Sequence, residues 1–189
     1  MRIKIDSATV TANFDRFKDN DSFQESAQLF ARGLPVLEML QAMAMNGSVL
    51  QAFAGFHSIY PNGSLERGLL EKVILRVSQL NECQFCVNSH LDMMKSLGIS
   101  ATLSDPIQLT EREESAIQYA ESVSRDANRV PEKSFERLRH LFCDAEIVEL
   151  TFVIGFITML NRFNNALGVR YSGELTGIRD NRVEAGKPR

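Results

Sequence analysis

The chain has 189 residues, 44% of them hydrophobic, enough to bury the core of one globular domain, or of two small halves sharing it, without staples. A net charge of −3 with no run of Lys and Arg excludes the basic track that follows a phosphate backbone, so nucleic acid is not an expected partner. No apolar segment reaches the roughly 20 residues that cross a bilayer, and MRIKIDSATVTANF lacks the h-region of an export signal, so no membrane is expected and the cytoplasm is the expected location.

Apolar residues recur at helical spacing along most of the chain, and strict alternation is hard to find beyond Ile3 and Ile5, so the expected fold class is all-α. An Asp/Ser cap signal predicts a helix from Asp21 to Phe30. Pro35 falls where a first-turn proline would start a second helix, through LPVLEMLQAMAMNG to a terminal Gly47. Val49 to Ser58 continues the apolar pattern, and YPNGS reads as a turn. Leu65 to Leu80 is amphipathic, and Asn81 offers a cap for a helix from Glu82 to Leu97, stopped by Gly98. After the turn SDPIQLT, Thr110 and Glu113 make the capping-box pattern T-x-x-E for a helix through about Ser124. Pro131 opens PEKSFERLRHLF, Asp144 caps a buried helix to about Leu160, and beyond Gly173 the chain turns polar, as a loosely held tail would. These boundaries give an N-terminal arm and first helix start at 1–30, a helical domain at 31–172 and a tail at 173–189.

Sliding the chain on itself by 78 residues sets LEKVILRVSQLNECQFC over IVELTFVIGFITMLNRFN, with Glu71 on Glu149. Cys83 then falls opposite Asn161 and Cys86 opposite Asn164, which suggests two similar helical units of which only the first bears reactive groups.

The chemistry concentrates in ECQFCVNSH, residues 82–90. Residues three and four apart share one helix face, so Cys83, Cys86 and His90 would line up over two turns. A CxxC at a helix start also meets the Cα separation of about 5–6 Å that a disulfide prefers. A thiolate there can come from the helix dipole, which favours Cys83, or from the imidazole one turn below Cys86, and spacing alone leaves open which sulfur attacks. Three cysteines in a reducing compartment argue against a structural disulfide framework.

Two other readings stand beside the redox one. Cys83, Cys86 and His90 are three-quarters of a zinc site, to which His140 or Cys143 could add a fourth ligand, and the pattern could also be a coincidence in a helical core. The remaining groups have plain explanations: Cys143 as a buried small residue, His57 and His140 at helix ends or the surface, Met39, Met43 and Met45 as core filling. Glu111, Glu113, Glu114 and Glu121 read as a solvated face.

Glu71, eleven residues, Cys83, two, Cys86, three, His90: this string resembles the active-site pattern of the AhpD-like alkylhydroperoxidases, within the carboxymuconolactone decarboxylase superfamily. LTEREESAIQYAESV and FCDAEIVELTFVIGFITMLNRF look like the family's later helices, so the resemblance spans about Leu34 to Val169. It implies a helical AhpD-like fold, homo-oligomers such as trimers, hexamers or dimers, and a thiol-dependent peroxidase or disulfide reductase. Carried over by position, Cys86 would be the peroxidatic thiol, Cys83 would resolve its sulfenic acid, and Glu71 with His90 would relay protons. The partners would be a hydroperoxide and an external dithiol or protein reductant, with no metal or bound organic cofactor required. On one straight helix Glu71 would lie about 18 Å from Cys83, so the chain must fold back near Asn81. The AhpD proteins proper resemble C-x-H-C, and Phe85 stands here in place of that histidine, which removes one proton-handling group and could redirect the activity to other disulfides.

Overall fold

The computed structural model describes residues 1–20, 23–57, 59–99 and 109–173, and every regular element among them is helical. In chain order these are α1 Ser7–Arg16, α2 Gln24–Ala31, α3 Glu38–Ala44, α4 Gly47–His57, the single turn α5 Ile59–Asn62, α6 Arg67–Leu80, α7 Gln84–Ser96, α8 Glu111–Asp126, a 3-10 turn Ala127–Arg129, α9 Glu132–Leu141 and α10 Asp144–Leu167. The all-α expectation holds.

α6 is the central helix. Leu69, Leu70, Val73, Ile74, Val77 and Ser78 bury most of its circumference, and it packs against α7, α8 and α10. Each branched side chain withdrawn from water there stabilises the fold by about 1.5–3 kcal/mol, and Leu70, Val73 and Ile74 are wholly withdrawn. α10 supplies the facing layer with Leu150, Val153, Ile154, Ile157 and Leu160. It runs to Leu167, one to two turns beyond the expected stop, and ends where Gly168 adopts the left-handed conformation that an L side chain resists.

α8 opens with the predicted capping box: the Thr110 hydroxyl accepts from the Glu113 N–H and the Glu113 carboxylate from the Thr110 N–H. Its acidic residues are not simply a solvated face. Lys72 of α6 binds Glu113 at 2.5 Å and Arg76 binds Glu121 at 2.6 Å, so two of the four carboxylates tie α8 to the central helix. Arg137 of α9 binds Glu114 at 2.8 Å.

The N-terminal segment contributes Val10, Phe14 and Phe23 to the core. Asp6 caps α1 by accepting from the Thr9 N–H at 2.9 Å, and Val10 and Phe14, one turn apart, are fully buried. Phe14 meets Phe30 of α2 edge-on at 5.7 Å, and Phe23 stacks on Phe53 of α4 at 6.3 Å. The expected Asp/Ser cap of α2 lies outside the described residues, as does most of the SDPIQLT turn and all of the tail beyond Gly173. Gly47 does not end a helix but begins α4, and a Cβ there would lie 2.5 Å from the Asn13 Oδ1 of α1. YPNGS is half helical: α5 includes its first three residues, and Glu149 accepts the Ser64 N–H at 2.6 Å to fix the bend that follows.

The 78-residue match breaks at the cysteines. α6 stops at Leu80 and a new helix starts at Gln84, whereas α10 passes unbroken through the matching residues 158–164. The two stretches pack on one another, and Asn164 of the second touches Cys86 of the first.

Candidate active site

Glu71 lies on the buried side of α6, fully withdrawn from solvent. A charged carboxylate survives there only if both oxygens are matched. One accepts from Arg67 Nε at 2.6 Å, one turn earlier on the same helix, and the other meets His90 Nδ1 at 2.5 Å. Burial pushes the Glu71 pKa up, but the charge and hydrogen bond of His90, with those of Arg67, outweigh it and hold the acid below the usual glutamate range. The ionised carboxylate is an acceptor, so Nδ1 of His90 carries a proton and Nε2 is left for exchange.

Glu71 reaches His90 because the chain folds back where the spacing requires it. Asn81 is the C-terminal cap of α6, Glu82 takes a left-handed φ of 53°, and Cys83 is the N-cap of α7. The expected cap at Asn81 is therefore displaced by two residues. Asn81 has other work: its side chain donates to Asn161 Oδ1 at 2.9 Å, and its carbonyl accepts from Asn165 Nδ2 at 2.9 Å. α10 thus holds the break from outside.

Cys83 and Cys86 are both buried and free, with their sulfurs 2.8 Å apart, within reach of an S–H···S bond. The backbone N–H of Cys86 also donates to the Cys83 sulfur at 3.4 Å, as N-terminal amides of a helix do for an anion. The Cys86 thiol as donor lowers the Cys83 pKa to about 7, with burial opposing and the Cys86 N–H and the Asn164 and Asn161 amides assisting. The same bond pushes the Cys86 thiol up, together with burial and the negative charge on Cys83, against the two amides. Two sulfurs this close share one proton, and the first proton lost belongs to the pair. The two shifts favour Cys83 as the sulfur that loses its proton first, whereas the resemblance assigned the attack to Cys86.

All four residues read from the sequence are therefore brought together: Glu71 with His90, Cys83 with Cys86, and His90 one turn beyond Cys86 on α7. Two residues were missed. Asn164 Nδ2 donates to the Cys86 sulfur at 3.3 Å, and Asn161 Nδ2 donates to Ser78 Oγ at 3.2 Å. Asn161 and Asn164, three residues apart on the buried face of α10, were the available signal, since buried polar groups need partners. Phe85, between the cysteines, is buried and meets Tyr171 edge-on at 5.8 Å, while the Tyr171 hydroxyl donates to Asp92 on α7.

The other candidates lie elsewhere. Cys143 is exposed, not buried, because it is the N-cap of α10. Along that helix it stands about 30 Å from Asn164, and hence from the thiols, so neither it nor His140 completes a four-ligand set with Cys83, Cys86 and His90. His57 ends α4 with its ring 5.5 Å from Phe53. Met39 and Met43 are core residues, and Met39 Sδ lies 3.6 Å from the Asn164 amide.

Among the described residues, no helix is long and apolar enough to cross a membrane. Residues 48–122, which include all four site residues, match the carboxymuconolactone decarboxylase family model. The chain is 26% identical over 115 residues to the uncharacterised protein YdfG of Bacillus subtilis, covering 57% of this chain and 78% of that one. Among solved structures it is similar to an Agrobacterium tumefaciens protein of unknown function described as a putative AhpD antioxidant defence protein, with 26% identity, 67% and 92% of the two chains covered and a TM-score of 0.62. A peroxidase-related protein from Ralstonia eutropha with the alkylhydroperoxidase AhpD core superposes over 93% of this chain and 94% of its own, at 20% identity and a TM-score of 0.72. The fold is shared too with a debrominase, solved in complex with tribromopyrrole, at 17% identity, a TM-score of 0.63 and coverage of 92% and 90%. The family match over the site segment and the agreement of the fold with AhpD-core proteins make this chain similar to the AhpD-like proteins of the carboxymuconolactone decarboxylase family.

Proposed function

We propose that the protein is a thiol-dependent peroxidase and disulfide oxidoreductase, in which the Cys83–Cys86 pair reduces a hydroperoxide and an external dithiol or protein restores it. The observation that carries this reading is a buried pair of sulfurs 2.8 Å apart, with Cys86 one helical turn from a histidine whose Nδ1 is bound by a buried carboxylate. Such a pair can lose a proton near neutrality and can close to a disulfide with little backbone movement.

In this mechanism the pair carries one negative charge, stored on Cys83. Both sulfurs are buried, and Cys86, one helical turn from His90, meets the peroxide when the shared proton passes to Cys83. The Cys86 thiolate attacks the outer peroxide oxygen: an S–O bond forms, the O–O bond breaks, and sulfur gives up two electrons. His90, which has taken on Nε2 the proton that the thiol pair lost, hands it to the departing alkoxide while Glu71 holds the Nδ1–H side of the imidazole in place. Cys83 then attacks the Cys86 sulfenic sulfur, and the oxygen leaves as water. No metal ion is needed for these steps. The proposal extends to a homo-oligomer, which light scattering would detect.

The test is single-turnover peroxide consumption by the pre-reduced protein, followed by free-thiol count and intact mass, beside Cys86→Ser and Cys83→Ser. Loss of two thiols in the parent, a trapped sulfenic acid in Cys83→Ser and no reaction in Cys86→Ser support the reading. A parent that ignores peroxide but is oxidised by a small cyclic disulfide is a disulfide exchanger, with Cys83 as first nucleophile.

A further inference from the structure

Asn164 is 1% exposed, and its side chain is divided between a made bond and an unmade one. Nδ2 donates to the Cys86 sulfur at 3.3 Å and lies 3.6 Å from Met39 Sδ, both weak acceptors. Oδ1 is buried and has no hydrogen-bond partner among the described residues. Asn161, one turn earlier on the same helix, is the internal contrast. Its Nδ2 donates to Ser78 Oγ at 3.2 Å and its Oδ1 accepts from Asn81 at 2.9 Å, so both ends are used to hold the α6–α7 break. A buried amide oxygen left unpaired beside a reactive sulfur calls for an explanation that a purely structural role does not give.

We propose that Asn164 belongs to the thiol machinery: its amide N–H stabilises the Cys86 thiolate, and its unpaired carbonyl oxygen accepts the O–H of the sulfenic acid formed on that sulfur. The first half needs only the dithiol, and the second rests on the peroxidase reading. Once the Cys86 thiolate has attacked the peroxide, the sulfur carries one O–H donor, and Asn164 Oδ1 is the acceptor on the same residue that already touches that sulfur. Holding that O–H gives the S–O bond a single orientation. Disulfide closure depends on it, because Cys83 must approach opposite the departing oxygen, which takes a proton and leaves as water. The amide is neutral and does not compete with His90 for protons, so its loss alters the acidity of the sulfur and the rate of closure without removing the proton relay.

The experiment uses Asn164→Leu, close in volume with neither polar end, and Asn164→Ser, which restores one hydroxyl. With no peroxide present, iodoacetamide alkylation of Cys86 is followed against pH in the Cys83→Ser background. The midpoint is expected to move upward by about one pH unit in Asn164→Leu, a tenfold loss of rate at fixed lower pH, and to return part-way in Asn164→Ser. Disulfide closure after a peroxide pulse, with Cys83 present, is expected to slow at least tenfold in Asn164→Leu. An unchanged alkylation midpoint in a variant with the parent's circular dichroism overturns the thiolate role, and unchanged closure overturns the carbonyl role. If Asn164→Leu does not fold, Asn164→Ala, which has neither polar end, decides, and a midpoint there equal to the parent's rejects the amide's part. A parent that leaves peroxide untouched removes the peroxidase reading and the carbonyl role with it, while the alkylation midpoint still judges the amide.

Discussion

Replacing Glu71 by Gln separates charge from shape at the site, because the amide can still accept from His90 Nδ1–H but no longer offers a negative charge to Arg67. In the parent, Arg67 and His90 share one fully buried carboxylate at 2.6 and 2.5 Å. Removing one partner of a wholly buried ion pair costs about 3–5 kcal/mol. Here the Arg67 side chain is 35% exposed and can be rehydrated, so the lower figure for hydrogen bonds to charged groups, about 1.5–3 kcal/mol, applies. The pH dependence has a definite sign. The folded-state acid is depressed, so its contribution is present above the ordinary glutamate value of about 4.3 and is lost as pH falls through the folded value. Urea unfolding followed by far-UV circular dichroism, suited to a chain with no tryptophan, should show parent and variant well apart near neutral pH and converging in acid. Single-turnover peroxide reduction should fall about 100-fold, the lower end for loss of a general acid–base arrangement. A stability gap that persists unchanged into acid, or a peroxide rate within twofold of the parent, would refute the view that this charge organises His90.

The shared proton predicts two alkylation profiles: the reduced parent should show one thiol titrating at about 7, and Cys83→Ser should bring the Cys86 midpoint down from its raised position, because the neighbouring negative charge is gone. Mass-resolved iodoacetamide labelling against pH checks both, and a Cys86 that stays unreactive in the variant sinks the shared-proton account. Glu82→Gly should stabilise the fold by about 0.5–1 kcal/mol in chemical denaturation, since the left-handed φ of 53° strains any residue with a Cβ; a loss of stability would show that the Glu82 side chain makes a contact worth more than the strain. Asn161→Ala should cost about 1–3 kcal/mol by leaving Ser78 and Asn81 without their amide partner, measured the same way. Cys143→Ser should leave peroxide turnover unchanged, because that sulfur is exposed at the far end of α10, and should not lower stability, because serine is a favoured N-cap; an effect on turnover would return it to the site.

What could be read from the sequence was what local chemistry decides. Thr110 with Glu113 is a complete capping signal within four residues, and it forms as expected. The turn between α6 and α7 was legible from the Asn81 cap signal and from the resemblance that pairs Glu71 with His90, since the two can meet only if the helix breaks between them. Its detail was not, because the cap is a cysteine whose sulfur accepts from a backbone amide, a role that residue rankings give to Ser, Thr, Asp and Asn. α1 escaped notice because only Val10 and Phe14 mark its inner face, and two apolar residues one turn apart carry little periodicity. Gly47 misled because the reason for a glycine there is the close approach of Asn13, a residue 34 positions earlier. The largest omission has the same character. Sliding the sequence by 78 residues set Asn164 over Cys86 as an unreactive counterpart, yet the pairing turned out to be physical contact. A sequence match between two helices says that they bury similar faces, and when they pack on each other, the place where one helix breaks is where the other must supply polar groups. Asn161, Asn164 and Asn165 do so at the α6–α7 break, meeting Ser78, the Cys86 sulfur and the Asn81 carbonyl in turn. The cysteine pair is thus flanked from two directions, by the Glu71–His90 bond between α6 and α7 and by an amide ladder on α10 that reaches the Cys86 sulfur through Asn164.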